Sequence, residues 1–316
     1  MKYWIDTDPG VDDAVAIILA AKYLGNDIVG LSSVQGNFSE PVTAKNLARI
    51  INKIKSINIT PNDWNPIISR GSPKALVGVS YRSPDYAGDS YHGRDGLAEV
   101  NWEAGPSINQ NIIHAANSIV AAAHKYLSMA LICIGPLTNI ALALQLDPSL
   151  PKHISEITIM GGSIYAQGNE TTSAEFNFMA DPEAARLVFE AGFSNLKLIP
   201  IDPCLNVKFY LSDINRIKNI SSSIAQSIIE LTNIWKRQFQ RGDGIVIYDV
   251  VALIVSLFQE LSVWEFFSIS IDVDEYRGKV NFSKTQRICA NAQVAMEIRD
   301  RDVFFSKLEN LLKDVG

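Results

Sequence analysis

The stretch Tyr3-Trp4-Ile5-Asp6-Thr7-Asp8-Pro9-Gly10-Val11-Asp12-Asp13-Ala14-Val15-Ala16-Ile17-Ile18-Leu19-Ala20 decides the fold. A short apolar run, a turn-forming Asp8-Pro9-Gly10 and a longer apolar segment predict a strand, a tight corner and a buried helix. Four aspartates fall within the eight residues Asp6 to Asp13. One could cap the helix and another serve the turn. All four together repel one another unless a cation or a helix N-terminus offsets them. Carboxylate oxygens are the ligands that hard divalent ions prefer, so the corner reads as a calcium or magnesium site. The Asp6-x-Asp8 spacing also fits an aspartyl phosphotransferase, but no basic residue or Ser/Thr-rich phosphate loop accompanies it.

Outward from this corner, apolar runs alternate with helical patterns. Ile28 to Val34, Ala130 to Ile134, Ile157 to Met160 and Leu196 to Ile199 predict strands. Pro41 to Lys53, Asn109 to Tyr126, Thr138 to Leu146, Asp181 to Ala191 and Asp249 to Phe258 predict helices. This order implies an α/β fold, a mostly parallel central sheet flanked by helices in a Rossmann-like open arrangement. With no linker to divide it, the chain is expected to form one domain over residues 1–316. Ligands bind such sheets beyond the carboxyl ends of the strands. Polar residues gather there: Asp6 to Asp13, Gln35-Gly36-Asn37, Gly135-Pro136-Leu137-Thr138-Asn139 and Gly161-Gly162. Asn169, Glu175 and Asn177 add amide and carboxylate groups able to hold several hydroxyls, as a sugar requires. Asp181-Pro182-Glu183 reads as a helix start without chemistry.

The formal net charge of −6 argues against nucleic acid or an anionic membrane surface as partner. Cys133, Cys204 and Cys289 are scattered in apolar surroundings, which suits a reducing compartment. The N-terminus carries no leader pattern and no apolar run reaches spanning length, so a soluble cytoplasmic protein is expected.

Several motifs together resemble the inosine-uridine-preferring nucleoside hydrolases, which are N-ribohydrolases. They are Asp6 to Ala14, Gly36-Asn37, His92-Gly93-Arg94-Asp95-Gly96-Leu97, Gly135 to Asn139, Met160-Gly161-Gly162 and Ala174-Glu175-Phe176-Asn177, in the family's order. The resemblance implies a small-molecule ribonucleoside as substrate and a homodimer or homotetramer. It implies Ca²⁺ held by the carboxylates of Asp8, Asp13 and Asp249 and the main-chain carbonyl of Thr138. It assigns Asp12, Asn37, Asn169, Glu175, Asn177 and Asp249 to the ribose, with Met160 close by. Asp8 would then accept a proton from the water that attacks the anomeric carbon.

The chain departs from the family at Tyr248, where many members carry a histidine regarded as proton donor to the leaving base. A phenol with a pKa of about 10 donates a proton less readily than an imidazole at about 6.5. Three substitutes are open: Tyr248 itself, the segment with Trp235, Arg237, Gln238 and Arg241, and His92. A nucleoside-binding protein with little turnover is the alternative that Tyr248 leaves standing. His114, His124 and His153 are expected to be structural, with no carboxylate neighbour. The Gly- and Tyr-rich segment Ser69 to Asn101 reads as a loop, and Tyr81 to Gly93 with Trp235 to Ile247 are expected to close over the base.

Overall fold

The computed structural model describes residues 1–78, 81–82, 86–89, 91–103 and 114–313. The opening strand β1 (Lys2–Thr7) runs into α1 (Val11–Leu24), as the apolar-corner-apolar pattern requires. There follow β2 (Ile28–Ser33), α2 (Glu40–Ser56), the three-residue β3 (Ile67–Ser69) and α3 (Ala115–Lys125). Residues 109–113 of the third predicted helix lie outside the described residues. The alternation continues through β4 (Met129–Cys133), α4 (Thr138–Leu146), β5 (Ile154–Met160), α5 (Phe176–Ala180), α6 (Pro182–Glu190) and β6 (Leu196–Ile199). Five helices come next: α7 (Ile201–Cys204), α8 (Leu211–Lys218), α9 (Ser223–Thr232), α10 (Lys236–Gln240) and α11 (Tyr248–Leu257). The chain closes with β7 (Ser262–Ile271), β8 (Val280–Lys284), β9 (Ala292–Ile298) and α12 (Arg301–Leu312).

Among the described residues nine strands form one sheet in the order β3-β2-β1-β4-β5-β6-β9-β7-β8. Every pair from β3 through β9 is parallel, and β7 is antiparallel to both β9 and β8. The strand order reverses between β1 and β4, and a sheet of this kind opens its ligand crevice at that point. The two loops that leave β1 and β4 carry Asp8 and Ile134.

Side chains alternate between the faces of the sheet, as the period of two demands. Ile5, Leu31 and Ile132 face a core built with α1, α2, α9, α11 and α12. Trp4, Val29, Leu131 and Cys133 face the other core, built with α3, α4 and α6. Helix α1 is buried from Val11 to Ala21, which accounts for an apolar sequence on every side rather than a stripe. Gly30 is a strand glycine with a packing reason, because a Cβ there would lie 2.2 Å from the Trp4 ring.

Asp6 is not part of the aspartate corner's site. It still belongs to β1, paired with Ser32 and Cys133. Its Oδ1 accepts from the Ser32 hydroxyl and from Asn139 Nδ2 at 2.8 Å, while Trp4 Nε1 donates to Ser32 Oγ at 2.8 Å. Asn139 also donates to the Ser33 carbonyl at 2.9 Å and accepts from Ser72 N–H at 2.9 Å. One buried amide thus joins β1, β2, α4 and the loop after β3. Burial pushes the Asp6 carboxyl up to about 7. Among the described residues no helix is long and apolar enough to cross a membrane.

Replacing Asn139 by Ala leaves the Asp6 carboxyl, the Ser33 carbonyl and the Ser72 N–H short of a partner at once. Asn139→Ala should cost about 3 kcal/mol of stability, read as a lower urea midpoint. A midpoint equal to wild type would show that the amide does not organise this end of the sheet.

Candidate active site

The corner between β1 and α1 fixes the carboxylates first. Asp8 sits past the end of β1 between two glycine loops. A Cβ on Gly36 would fall 2.1 Å from Asp8 Oδ2, and one on Gly135 would fall 2.7 Å from Asp8 Oδ1. Only glycine leaves room there for the carboxylate. Asp8 Oδ2 accepts from the Asn37 N–H at 2.7 Å, and the Asn37 amide donates to the Asp8 carbonyl at 3.1 Å. Asp12 and Asp13 lie in the first turn of α1, where the helix N-terminus favours negative charge. Asp13 is fully buried. It accepts from the Thr7 hydroxyl, from Gly10 N–H at 2.9 Å and from the Asn37 amide at 3.3 Å.

Helix α11 brings the fourth acid. Carboxylate oxygens of Asp12, Asp13 and Asp249 lie within 4.8 Å of one another, all three residues buried. Asp8 lines the same cavity beside them. Burial raises the whole group, and repulsion from acidic neighbours adds to it at Asp8, Asp12 and Asp249. Asp12 is pushed up to about 8 by burial and then by Asp13. Asp8 and Asp249 are held well above the usual carboxylate range by burial and their acidic neighbours, and burial also raises Asp13. Carboxylates so placed are neutral only with protons, or ionised only with a cation among them. An all-oxygen set of this kind fits a hard divalent ion.

Above the acids opens a cavity of about 290 Å³. Asp8, Asp12, Asn37, Met160, Asn169, Glu175, Asn177, Tyr248, Asp249 and His92 all line it, so the sequence expectation converges in space. Glu175 caps α5 and accepts from Gly162 N–H at 2.8 Å, Asn177 N–H at 2.8 Å and Phe178 N–H at 3.2 Å. Burial pushes Glu175 up to about 7 despite those three donors. The Asn177 amide donates to the carbonyls of Ile134 and Met160, each at 3.2 Å, tying the ends of β4 and β5 together. Asn169 accepts from Phe176 N–H at 2.8 Å and meets the Tyr248 hydroxyl with its side chain.

His92 Nδ1 accepts from Val11 N–H at 3.1 Å, which assigns the proton of the neutral ring to Nε2. Burial drives His92 down to about 4, so near neutrality it donates a hydrogen bond rather than a free proton. Tyr248 is held above its usual range, first by burial, and stays a phenol.

Two expected residues stand elsewhere. Trp235 is fully buried behind the cavity wall. Its Nε1 donates to the Tyr91 carbonyl at 2.8 Å, its ring lies 4.9 Å from Tyr91 and 6.4 Å from Phe239, and no face remains for a base. Thr138, expected to offer its main-chain carbonyl, begins α4 and does not line the cavity, its hydroxyl donating to Asp181 Oδ2 at 2.5 Å; Ile134 is the residue that this strand end contributes to the cavity. Arg237, Gln238 and Arg241 do not line it either. Of the expected covering loop, Arg82, Asp89, Tyr91 and His92 do, while residues 83–85 and 90 lie outside the described residues. Asp181 caps α6 through Ala184 N–H at 3.1 Å, as its sequence indicates. Tyr91, Glu170 and Ile134 are cavity residues with no role assigned from the sequence, and Phe176, named only as part of a motif, lines the cavity as well. Tyr91 fills the place given to Trp235, its hydroxyl donating to the Val246 carbonyl and its ring edge-on to His92 at 4.8 Å.

Residues 3–306 match the family model described as inosine-uridine preferring nucleoside hydrolase. The chain is 28% identical over 327 residues to the inosine-uridine preferring nucleoside hydrolase of Crithidia fasciculata, covering 100% of this chain and 98% of that one. It is 28% identical over 268 residues to uridine nucleosidase 1 of Arabidopsis thaliana, covering 84% and 76%. Its fold is like that of a purine-preferring ribonucleoside hydrolase from Gardnerella vaginalis, with a TM-score of 0.85 at 22% identity over 99% of each chain.

A carboxyl whose folded pKa is raised binds its proton more tightly folded than unfolded. The stability it lends is therefore present at low pH and lost as pH rises toward the folded value. For Asp12 and Glu175 this window runs from 3.8 and 4.5 up to about 8 and about 7. The chelated protein should lose thermal stability as pH climbs through that window. A hard divalent ion such as Ca²⁺, which an all-oxygen set of ionised carboxylates would hold, should restore more of it at each step. Melting scans in chelator and in calcium at successive pH values measure this, and a calcium shift that shrinks with rising pH would contradict it.

Proposed function

We propose that this chain, which belongs to the inosine-uridine preferring nucleoside hydrolase family, hydrolyses the N-glycosidic bond of ribonucleosides with Ca²⁺ as cofactor and Asp8 as general base. The observation that carries the reading is that Asp8, Asp12 and Asp249, with Asp13 directly behind them, share one cavity with Asn169, Glu175 and Asn177, side chains able to hold hydroxyls. A phosphotransferase would have no use for that second set, and a ribose needs it.

Asp8, Asp13 and Asp249 are proposed to hold the ion, with a main-chain oxygen from Ile134 in the role first given to Thr138, since Ile134 is the cavity residue of that strand end. When bound, such an ion supplies positive charge that makes a neighbouring water more acidic and anchors hydroxyl oxygens. Asp8 then takes one proton from the water whose oxygen attacks C1′. Asn37 N–H fixes its Oδ2, and Gly36 and Gly135 leave room for the carboxylate at the edge of the cavity. As the new C–O bond forms, the C1′–N bond breaks and its electron pair leaves with the base. Positive charge grows on the sugar in this step. Asp12, Glu175 and the amide oxygens of Asn169 and Asn177 surround it with negative charge and dipoles.

The departing base meets hydrogen-bond donors rather than an acid. Tyr248 and His92 Nε2 both carry their protons near neutrality. Each stabilises the leaving nitrogen or an exocyclic oxygen by donation, and the proton that completes the free base comes from solvent. Leaving groups whose negative charge is already delocalised should therefore be favoured.

Release of reducing sugar from a panel of purine and pyrimidine ribonucleosides tests the reading. Asp8→Asn should lower kcat by about a thousandfold. Tyr248→Phe should lower it by about tenfold, the worth of one hydrogen bond. A 2′-deoxynucleoside should lose about 10⁴ in kcat/KM, because it leaves buried polar groups unpaired. Full activity in Asp8→Asn would remove the general-base assignment. No release from any ribonucleoside, with ribose still stabilising the fold, would favour a binding protein.

A further inference from the structure

Away from the cavity, at the opposite ends of β4 and β5, three side chains from separate segments converge. His124 stands in the last turn of α3, Asp147 caps the C-terminus of α4, and His153 ends the short turn Leu150–Lys152 that leads into β5. His124 Nε2 lies 2.7 Å from Asp147 Oδ2, and the two imidazole rings are 4.2 Å apart at 46°. One ring nitrogen from each histidine and one carboxylate oxygen lie within 4.8 Å of one another. His124 was expected to lack an acidic neighbour; the chain reversal after α4 supplies one.

We propose that His124, Asp147 and His153 form a second metal site, for a borderline divalent transition ion of the Zn²⁺ class, with water completing a tetrahedron. The donor set decides the class. Two imidazole nitrogens and one carboxylate oxygen suit Zn²⁺, whereas Ca²⁺ requires six or more oxygens. The carboxylate is prepared for a ligand. Asp147 Oδ1 accepts from Ser149 N–H at 2.9 Å and from Ser149 Oγ at 2.6 Å, which fixes the group and turns Oδ2 toward the histidines.

Ligands about 2.0 Å from a tetrahedral ion are about 3.3 Å from one another; His124 Nε2 and Asp147 Oδ2 are closer than that, at 2.7 Å, and all three ligand atoms lie within 4.8 Å, so an ion needs His124 to turn outward by about half an ångström. The His124 side chain is 51% exposed, so the ion has a way in and the ring has freedom to turn. The backbone positions are set by a helix end, a helix cap and a tight turn. An ion here ties the ends of α3 and α4 to the start of β5, and it acts on stability without reaching the cavity.

The test uses the full chain, stripped by chelator and then held in excess Ca²⁺ so that the oxygen site is filled. Zn²⁺ is titrated by calorimetry, and Co²⁺ is added separately to read its visible absorption. One equivalent of Zn²⁺ should bind, raise Tm, and be matched by the intense Co²⁺ bands of a tetrahedral site. His124→Ala and His153→Ala should each weaken binding by about tenfold or more, leave ribose release unchanged, and abolish the Co²⁺ bands. Asp8→Asn should retain all of them. Zn²⁺ binding that survives the double variant His124→Ala/His153→Ala, or no Zn²⁺ binding to wild type, would overturn the proposal.

Discussion

The mutual repulsion of Asp8, Asp12, Asp13 and Asp249 is the constraint on which the site depends. Four carboxylates are buried where the strand order of the sheet reverses; burial raises the proton affinity of all four, and acidic neighbours raise that of Asp8, Asp12 and Asp249 further. The surrounding structure offsets part of this cost. Glycines at 36 and 135 admit the Asp8 carboxylate, the N-terminus of α1 faces Asp12 and Asp13, and Thr7, Gly10 and Asn37 donate to the group. What they leave unbalanced is negative charge facing a cavity. That residue of charge is the feature a cation and an electron-poor sugar both answer.

Much of this was legible in the order of residues, for a physical reason. A buried parallel strand must be apolar, and the loop after it must turn toward the ligand end, so β1, β2, β4, β5 and β6 and the polar groups after them announce themselves. The C-terminal extension was not legible. In β7 and β8 exposed and half-buried residues intermix, with Glu265, Ser268 and Ser270 among apolar neighbours, because that edge of the sheet is covered incompletely. Asp6 was grouped with the corner because it is adjacent in sequence; its place inside β1, under Asn139, depends on partners from β2 and α4 that no local pattern names.

The base end of the cavity shows the same limit more sharply. A tryptophan near a ligand site suggests a stacking platform, but the indole of Trp235 buries itself and buttresses Tyr91 instead. Tyr91, in a long loop, carries no helical or strand periodicity to mark it. His92 was marked by its motif, yet its neutral state follows only from its burial against the first turn of α1. Identity of residue was readable at this end, and protonation and orientation were not.

Asp249 arrives from α11, about three quarters of the chain's length after Asp13, and the two meet only when α11 has docked on α1. During synthesis the N-terminal strand-and-helix corner emerges with its acids exposed to water, where repulsion between them is weak. The carboxylate set proposed to hold a cation is therefore complete only late, when α11, the last long helix before the closing strands, has packed. Uptake of the proposed ion would report the completion of the topology, because any nascent or truncated chain that stops short of α11 lacks Asp249.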